Sequence, residues 1–241
     1  MLPQYFLSAH SYCCELEDGA IILDLTTGSY IGVHAESLLE LRVRVLNWPN
    51  SCELDRDAVP STKATSGRLI ADLLSRGILT TSPTPERTPI APHTLGTLTI
   101  HEFTAERRWA PITHIPQFAM ALAAVIMRHK DKRLRSLLEW LRQRQYAISR
   151  EGPAATRKNA VTPLASFFRL RIWFYTADRR CLFDSLVLAT FLTRQMIPCT
   201  FVIGVSTKPF LAHSWVQMGE LVLNDTAEHV QMFTPILAIG G

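Results

Sequence analysis

The first apolar runs along the chain are short and interleaved with polar positions. Residues 12–16, 20–25 and 30–33 are rich in β-branched and aromatic side chains. They are separated by EDGA, which contains Gly19, and by TTGS, which contains Gly28. This pattern predicts three short strands joined by tight turns. From residue 35 the spacing changes to three and four. Leu38, Leu39, Leu41, Val45 and Leu46 mark a helix over residues 35–48, ended by Pro49. Residues 55–64 are a second, shorter helix candidate. Residues 66–76 are a third, with Leu69, Ile70, Leu73 and Leu74 apolar and Gly77 as the C-cap. Three strands followed by three helices predict a small winged-helix-like module over residues 1–81.

Four prolines and little that can pack occupy residues 82–93, which read as an extended linker. A second domain, residues 94–241, begins in a helical register. Helices are predicted over 115–129 and 132–146, the latter with Leu134, Leu137, Leu138 and Leu141 along one side. The arginines of that segment (Arg133, Arg135, Arg142, Arg144) read as a solvated helix face, with an acidic partner as the alternative. Residues 163–175 are apolar enough for a buried helix. A further helix, CLFDSLVLATFLTRQ, opens at Cys181. Strands follow over 200–205, 212–218 and 221–224. Helices followed by antiparallel strands predict an α+β fold.

Hydrophobic residues make up 47% of the chain and charged residues 19%, which is the composition of a folded core rather than of a disordered chain. A net charge of +4 suits an acidic peptide partner and does not point to nucleic acid. The five cysteines, Cys13, Cys14, Cys52, Cys181 and Cys199, include no CxxC pair, so neither a zinc knuckle nor a disulfide framework is indicated. His101, His114 and His129 lack the spacing of metal ligands, and no metal is expected. The start of the chain lacks the basic-then-apolar order of a signal peptide, and no apolar run reaches membrane-spanning length. A cytoplasmic protein with free thiols is the expectation.

The candidate chemistry lies in the last third of the chain. Cys181 opens a helix, where the partial positive charge of the N-terminus favours a thiolate. Arg179 and Arg180 precede it and add to that field. His213 and Asp225 fall on segments read as adjacent antiparallel strands. Nucleophile, base and orienting carboxylate are the parts of an acyl-transfer site. The Cys181 backbone N–H is the natural oxyanion donor, and Trp215, two residues from His213 on one strand, would shield the pair from water. Each residue alone has an ordinary explanation in a packed core; the case rests on the three together. Cys199, after Pro198 on an apolar strand, reads as core.

The stretch from Cys181 to Asp225 resembles the transglutaminase-like cysteine proteases of lasso-peptide biosynthesis. The motifs are Cys181 and Leu182, Ser185, Leu186 and Leu188 on the helix; Ile197 and Pro198, with FVIGV over 201–205; HSWV over 213–216; and Asn224 with Asp225. DGAIILDLTTGSYIGV and the leucine-rich helix after it are similar to the leader-peptide recognition elements of ribosomally made peptide pathways and to the small carrier protein of pyrroloquinoline quinone biosynthesis. The resemblance implies catalytic roles for Cys181, His213 and Asp225 in a fused leader peptidase. It implies that a precursor's leader adds as a strand along Tyr30, Ile31 and Gly32. Leader side chains would meet Leu69 and Leu73, with Arg68, Asp72 and Arg76 at the rim. It also implies a partner cyclase, similar to asparagine synthetases, that closes the macrolactam with ATP. No GxxxxGK[ST] loop occurs here, so no cofactor is expected in this chain and ATP is assigned to the cyclase. Three alternatives stay open: a transglutaminase-type acyltransferase, a non-catalytic precursor-binding chaperone, and a winged-helix DNA regulator. Asp72 between Arg68 and Arg76 argues against the last.

Overall fold

The computed structural model describes residues 4–49, 63–83, 95–99, 112–130, 134–150, 157–175 and 181–240. The chain divides into two compact units, Met1–Ala91 and Pro92–Gly241. The division falls inside the proline-rich stretch.

In the first unit, β1 (Phe6–Leu7) and β5 (Leu79–Thr80) form a small antiparallel pair. Between them lie β2 (Ser11–Leu16), β3 (Gly19–Asp24), β4 (Ser29–His34), α1 (Ala35–Arg44) and α2 (Lys63–Ser75). Strands β2, β3 and β4 form an antiparallel meander with Cys13 opposite Ile22 and Ile22 opposite Ile31. Gly19 sits at φ +145°, and a Cβ there would lie 2.0 Å from the Val33 carbonyl oxygen. Only glycine permits that turn. The next turn is held by Asp24, whose carboxylate accepts from the Thr26 N–H and the Thr27 hydroxyl, both at 2.8 Å. Ile22, Val33, Leu41, Val45, Leu73 and Ile78 form the core.

Helix α1 stops at Arg44, short of the expected Trp48. Val45 is extended and pairs with Tyr5. Trp48 turns into the core, where its indole donates to Glu15 at 2.7 Å. Arg42 also binds Glu15, at 2.7 and 2.5 Å. A nearly buried carboxylate needs such donors, and meeting that need overrides the helical period. Of the middle helix candidate, residues 55–62 lie outside the described residues. Strands β1 and β5, two residues each, were too short to leave a period in the sequence.

In the second unit, β6 (Leu98–Thr99) precedes four helices: α3 (His114–Lys130), α4 (Leu134–Arg150), α5 (Arg157–Phe174) and α6 (Cys181–Arg194). Then follow β7 (Thr200–Thr207), β8 (Phe210–Met218), β9 (Leu221–Val222), α7 (Ala227–Val230) and β10 (Thr234–Ile239). The sheet order is β10-β7-β8-β9-β6, antiparallel except for β6 beside β9. Helix α6 packs against α3, α4, α5 and β8. It is buried without a break from Asp184 to Thr193, which explains its near-continuous apolar sequence. Phe118, Phe167 and Phe191 meet at ring distances of 5.8–6.1 Å beside it. Gln145 of α4 donates to the Thr193 hydroxyl at 2.8 Å and accepts from the Cys199 N–H at 3.1 Å.

The architecture is α+β, as expected. Helix α5 begins at Arg157 rather than Pro163, so the proline lies inside the helix. Strand β9 ends at Val222, so Asp225 stands on the loop beyond it rather than at a strand end. Strands β6 and β10 and helix α7 were not anticipated.

Candidate active site

Cys181 is the first residue of α6, where a backbone N–H has no partner within its own helix. The side chain is half-buried. Its thiol is hydrogen-bonded to His213, on β8 opposite Gly204 of β7. The far nitrogen of the same ring, Nε2, makes a short hydrogen bond to Asp225 Oδ2. That leaves Nδ1 as the nitrogen facing the thiol. The three residues therefore form one continuous chain of hydrogen bonds. Arg179 and Arg180, expected to strengthen the field at Cys181, lie outside the described residues.

The electrostatics follow from this contact order. The hydrogen bond from His213 lowers the Cys181 thiol below its ordinary value; burial opposes the shift, and Ser214 assists it. Burial alone would depress His213, but Asp225 and Cys181 outweigh it and lift the imidazole to about 9. Asp225 is held at about 2 against the upward push of burial, by His213, by His229 and by the Thr226 N–H. The two opposite shifts both favour a thiolate–imidazolium pair. Two buried thiols behave oppositely, with burial raising Cys14 and Cys199 to about 12 each.

A frame of buried polar bonds sets the spacing between helix and strand. Ser185, one turn after Cys181, donates its hydroxyl to the Ser214 carbonyl at 2.9 Å. Asn224 accepts from the Val216 N–H at 2.8 Å and donates to the Ser185 hydroxyl at 2.9 Å. Asp184 accepts from Arg171 at 3.0 and 3.1 Å and from the Tyr175 hydroxyl at 3.0 Å. Neutralised in this way, Asp184 does not oppose the thiolate a turn away.

Trp215 is fully buried and stacks under the His213 ring at 6.1 Å with 16° between planes, as its position on the strand predicted. Phe233 covers His213 from another side at 5.1 Å. The glycine of the FVIGV motif has a steric reason. A Cβ on Gly204 would lie 2.8 Å from both the Trp215 ring and the Phe233 Cβ.

Sequence reasoning missed His229. Its Nδ1 lies 3.0 and 2.9 Å from the two Asp225 oxygens, and its ring is 4.7 Å from that of His213. The spacing from Asp225 to His229 is the one signal that pointed to it. Ligand atoms of His213, Asp225 and His229 lie within 4.8 Å of one another, so these residues are also the group that could hold a metal ion. The direct hydrogen bond between His213 and Asp225 uses the lone pairs such an ion would need. Proton sharing fits the geometry better.

The candidate leader-binding residues are placed unevenly. Strand β4 is the edge of its sheet. There Tyr30 and Ile31 are half-buried and Gly32 is exposed. Leu69 is half-buried, packed against the same core as Ile31. Leu73 is 0% exposed, so its expected role at the leader surface gives way to one in the core. Asp72 is exposed and bridged to Arg76 at 2.9 Å.

Residues 124–238 match the transglutaminase-like superfamily. Over 100 residues the chain is 35% identical to the microcin J25-processing protein McjB of Escherichia coli, covering 42% of this chain and 39% of McjB. The chain thus spans about two fifths of the length of that relative. No solved structure matches it. The described helices include none long and apolar enough to cross a membrane. The match and the identity bear out the resemblance to lasso-peptide processing proteins read from the C-terminal motifs, and place the similarity to transglutaminase-like proteins in residues 124–238.

Proposed function

We propose that this chain is a cysteine peptidase of lasso-peptide maturation, removing the leader from a ribosomally made precursor. The observation that carries this reading is the continuous hydrogen-bonded chain Cys181–His213–Asp225, with the thiol shifted down and the imidazole shifted up. Cys181 attacks the scissile carbonyl as a thiolate, and its own backbone N–H faces the developing oxyanion. His213, protonated in the ion pair, gives its proton to the leaving amine. It then takes a proton from water as the acyl-enzyme is hydrolysed. Asp225 holds the ring with Nε2 turned away from the thiol and stabilises its charge.

The N-terminal unit, read as a winged-helix-like recognition module, holds the leader as an added strand on β4, with Ile31 and Leu69 supplying apolar contact. Tethering the leader raises the local concentration of the scissile bond. The freed α-amine passes to an asparagine-synthetase-like cyclase, which uses ATP for ring closure. The similarity to McjB, a microcin J25-processing protein, supports a role in precursor processing.

The test is mass spectrometry of a candidate precursor incubated with the full chain, wild type against Cys181→Ala. Release of a leader fragment by wild type alone supports the peptidase and reports the cleavage site. Leader binding without cleavage in both tubes, with or without the cyclase and ATP, would make the chain a precursor-binding chaperone instead.

A further inference from the structure

On the side of α6 away from Cys181, a cavity of about 220 Å³ opens between α3, α4 and α6. Thr190 of α6 lines it, nine positions after Cys181. At about 100° per residue, that spacing turns the two side chains to opposite faces of the helix, about 13 Å apart along its axis. The cavity is therefore separate from the peptidase centre. Arg128 of α3, Trp140 and Arg144 of α4, and Arg194 of α6 complete its polar lining. The spacings Trp140–Arg144 and Thr190–Arg194 are four residues each, so each helix turns one stripe toward the same space.

Three arginines line this cavity, and among the described residues no Asp or Glu does. Among the described residues, none of Arg128, Arg144 and Arg194 has an ion-pair partner. Glu139, the acidic residue on that stretch of α4, is engaged by Arg142 at 2.7 Å and Gln143 at 3.0 Å. Arg128 and Arg194 lie in the last turns of their helices, where a cation suits the terminal carbonyls. That explanation does not reach Arg144, in the middle of α4. Nor does it reach Thr190, which is 1% exposed and whose hydroxyl has no hydrogen-bond partner among the described residues. Thr193, one turn position on, behaves in the usual way and returns its hydroxyl to the Ala189 carbonyl at 2.7 Å. A buried hydroxyl left open beside three like charges is a site short of a ligand.

The polar lining is made of donors: guanidinium and indole N–H groups and one hydroxyl. Planar guanidinium forks match tetrahedral and trigonal oxyanions, and three positive charges favour an anion bearing more than one negative charge. We propose that this cavity binds a compact oxyanion of the phosphate class, with Arg144 and Thr190 as its central contacts and Arg128 and Arg194 closing over it. The exposed positions of Arg144 and Arg194 leave the cavity open to solvent on their side.

The experiment is a thermal-shift titration of the full chain with inorganic phosphate and with pyrophosphate, at ionic strength held constant with potassium chloride. Acetate serves as the carboxylate arm. Wild type is compared with Arg144→Gln and Thr190→Val. Saturable stabilisation by phosphate or pyrophosphate is expected in wild type. The apparent affinity should fall at least about tenfold in Arg144→Gln, a surface change that leaves the core intact. Thr190→Val should melt no lower than wild type without ligand, because the unmet hydroxyl is removed, yet bind phosphate more weakly. No saturable shift, an equal shift in the variants, or equal saturation by acetate would overturn the proposal.

Discussion

The hydroxyl of Ser185 donates to the carbonyl of Ser214 at 2.9 Å, tying the turn after the nucleophile to the residue after the base. Cys181 and His213 come from segments far apart in sequence, and this one bond spans the same two elements. Their separation is therefore set from below, by buried polar groups, rather than by the reacting atoms themselves. Asn224 closes the triangle, because it binds both Ser185 and β8 while preceding Asp225.

Asn224→Ala is expected to remove this brace. It leaves the Val216 N–H and the Ser185 hydroxyl without their buried partner, at a cost of about 1–3 kcal/mol in stability. The turnover rate for precursor cleavage should fall while KM changes little, because the brace positions reacting groups and not the leader. Equal kinetics in the variant and wild type would remove Asn224 from the positioning network.

Replacing the reacting residues separates chemistry from binding. Cys181→Ala and His213→Ala should reduce cleavage to background with leader affinity retained. Asp225→Asn should be milder, in the range of about 10- to 1,000-fold, because Asp225 acts through His213. His229→Ala should be milder still, since Thr226 continues to donate to Asp225 at 2.7 Å. Single-turnover cleavage beside a leader-binding isotherm distinguishes these cases.

Activity should follow a bell in pH. The acid limb marks formation of the thiolate, below the ordinary cysteine range because His213 stabilises it. The alkaline limb marks loss of the His213 proton near pH 9. The folded-state pKa of His213 lies above its ordinary value of 6.5, so its contribution to stability is complete below that value and is lost as pH rises through about 9. Asp225 lies below its ordinary value of 3.8, so its contribution is present above that value and lost as pH falls toward about 2. A kcat/KM profile for wild type and Asp225→Asn measures the first pair. The Asn variant should lose its alkaline limb at lower pH.

Gly204→Ala tests the packing beneath the base. The new methyl would push against the Trp215 ring and the Phe233 backbone side of its side chain, neither of which has room to yield. Overpacking of this kind costs about 1–3 kcal/mol. Because His213 rests on both aromatic rings, cleavage should fall more than stability alone explains. An unchanged melting temperature and rate would contradict this account.

The strands of the meander and the helices α3, α4 and α6 were legible in the sequence because each buries a face with its own period. The nucleophile and base were legible for the same reason: Cys181 opens a helix buried without a break from Asp184 to Thr193, and His213 sits on a central strand. What the sequence hid was set by long-range partners. Trp48 leaves the helical register to meet Glu15, a residue on a strand of the same unit. His229 gains its role from a half-exposed one-turn helix that no apolar period announces. Leu69 and Leu73 share one helix face in the sequence, and only the tertiary packing makes Leu73 a core residue and leaves Leu69 partly buried at its margin. The arginine cavity is assembled from three helices and has no motif in any one of them.

The contrast among the thiols has a practical consequence. Cys181 is half-buried and shifted toward the thiolate, while Cys14 and Cys199 are enclosed and shifted to about 12. Alkylating and oxidising reagents react with thiolates, so among the described cysteines modification falls on the nucleophile first. A limiting dose of iodoacetamide would then serve as an active-site titrant, counting competent molecules in a preparation before any substrate has been found. The same selectivity makes the chain sensitive to peroxide, through a sulfenic acid that a reducing thiol can reverse.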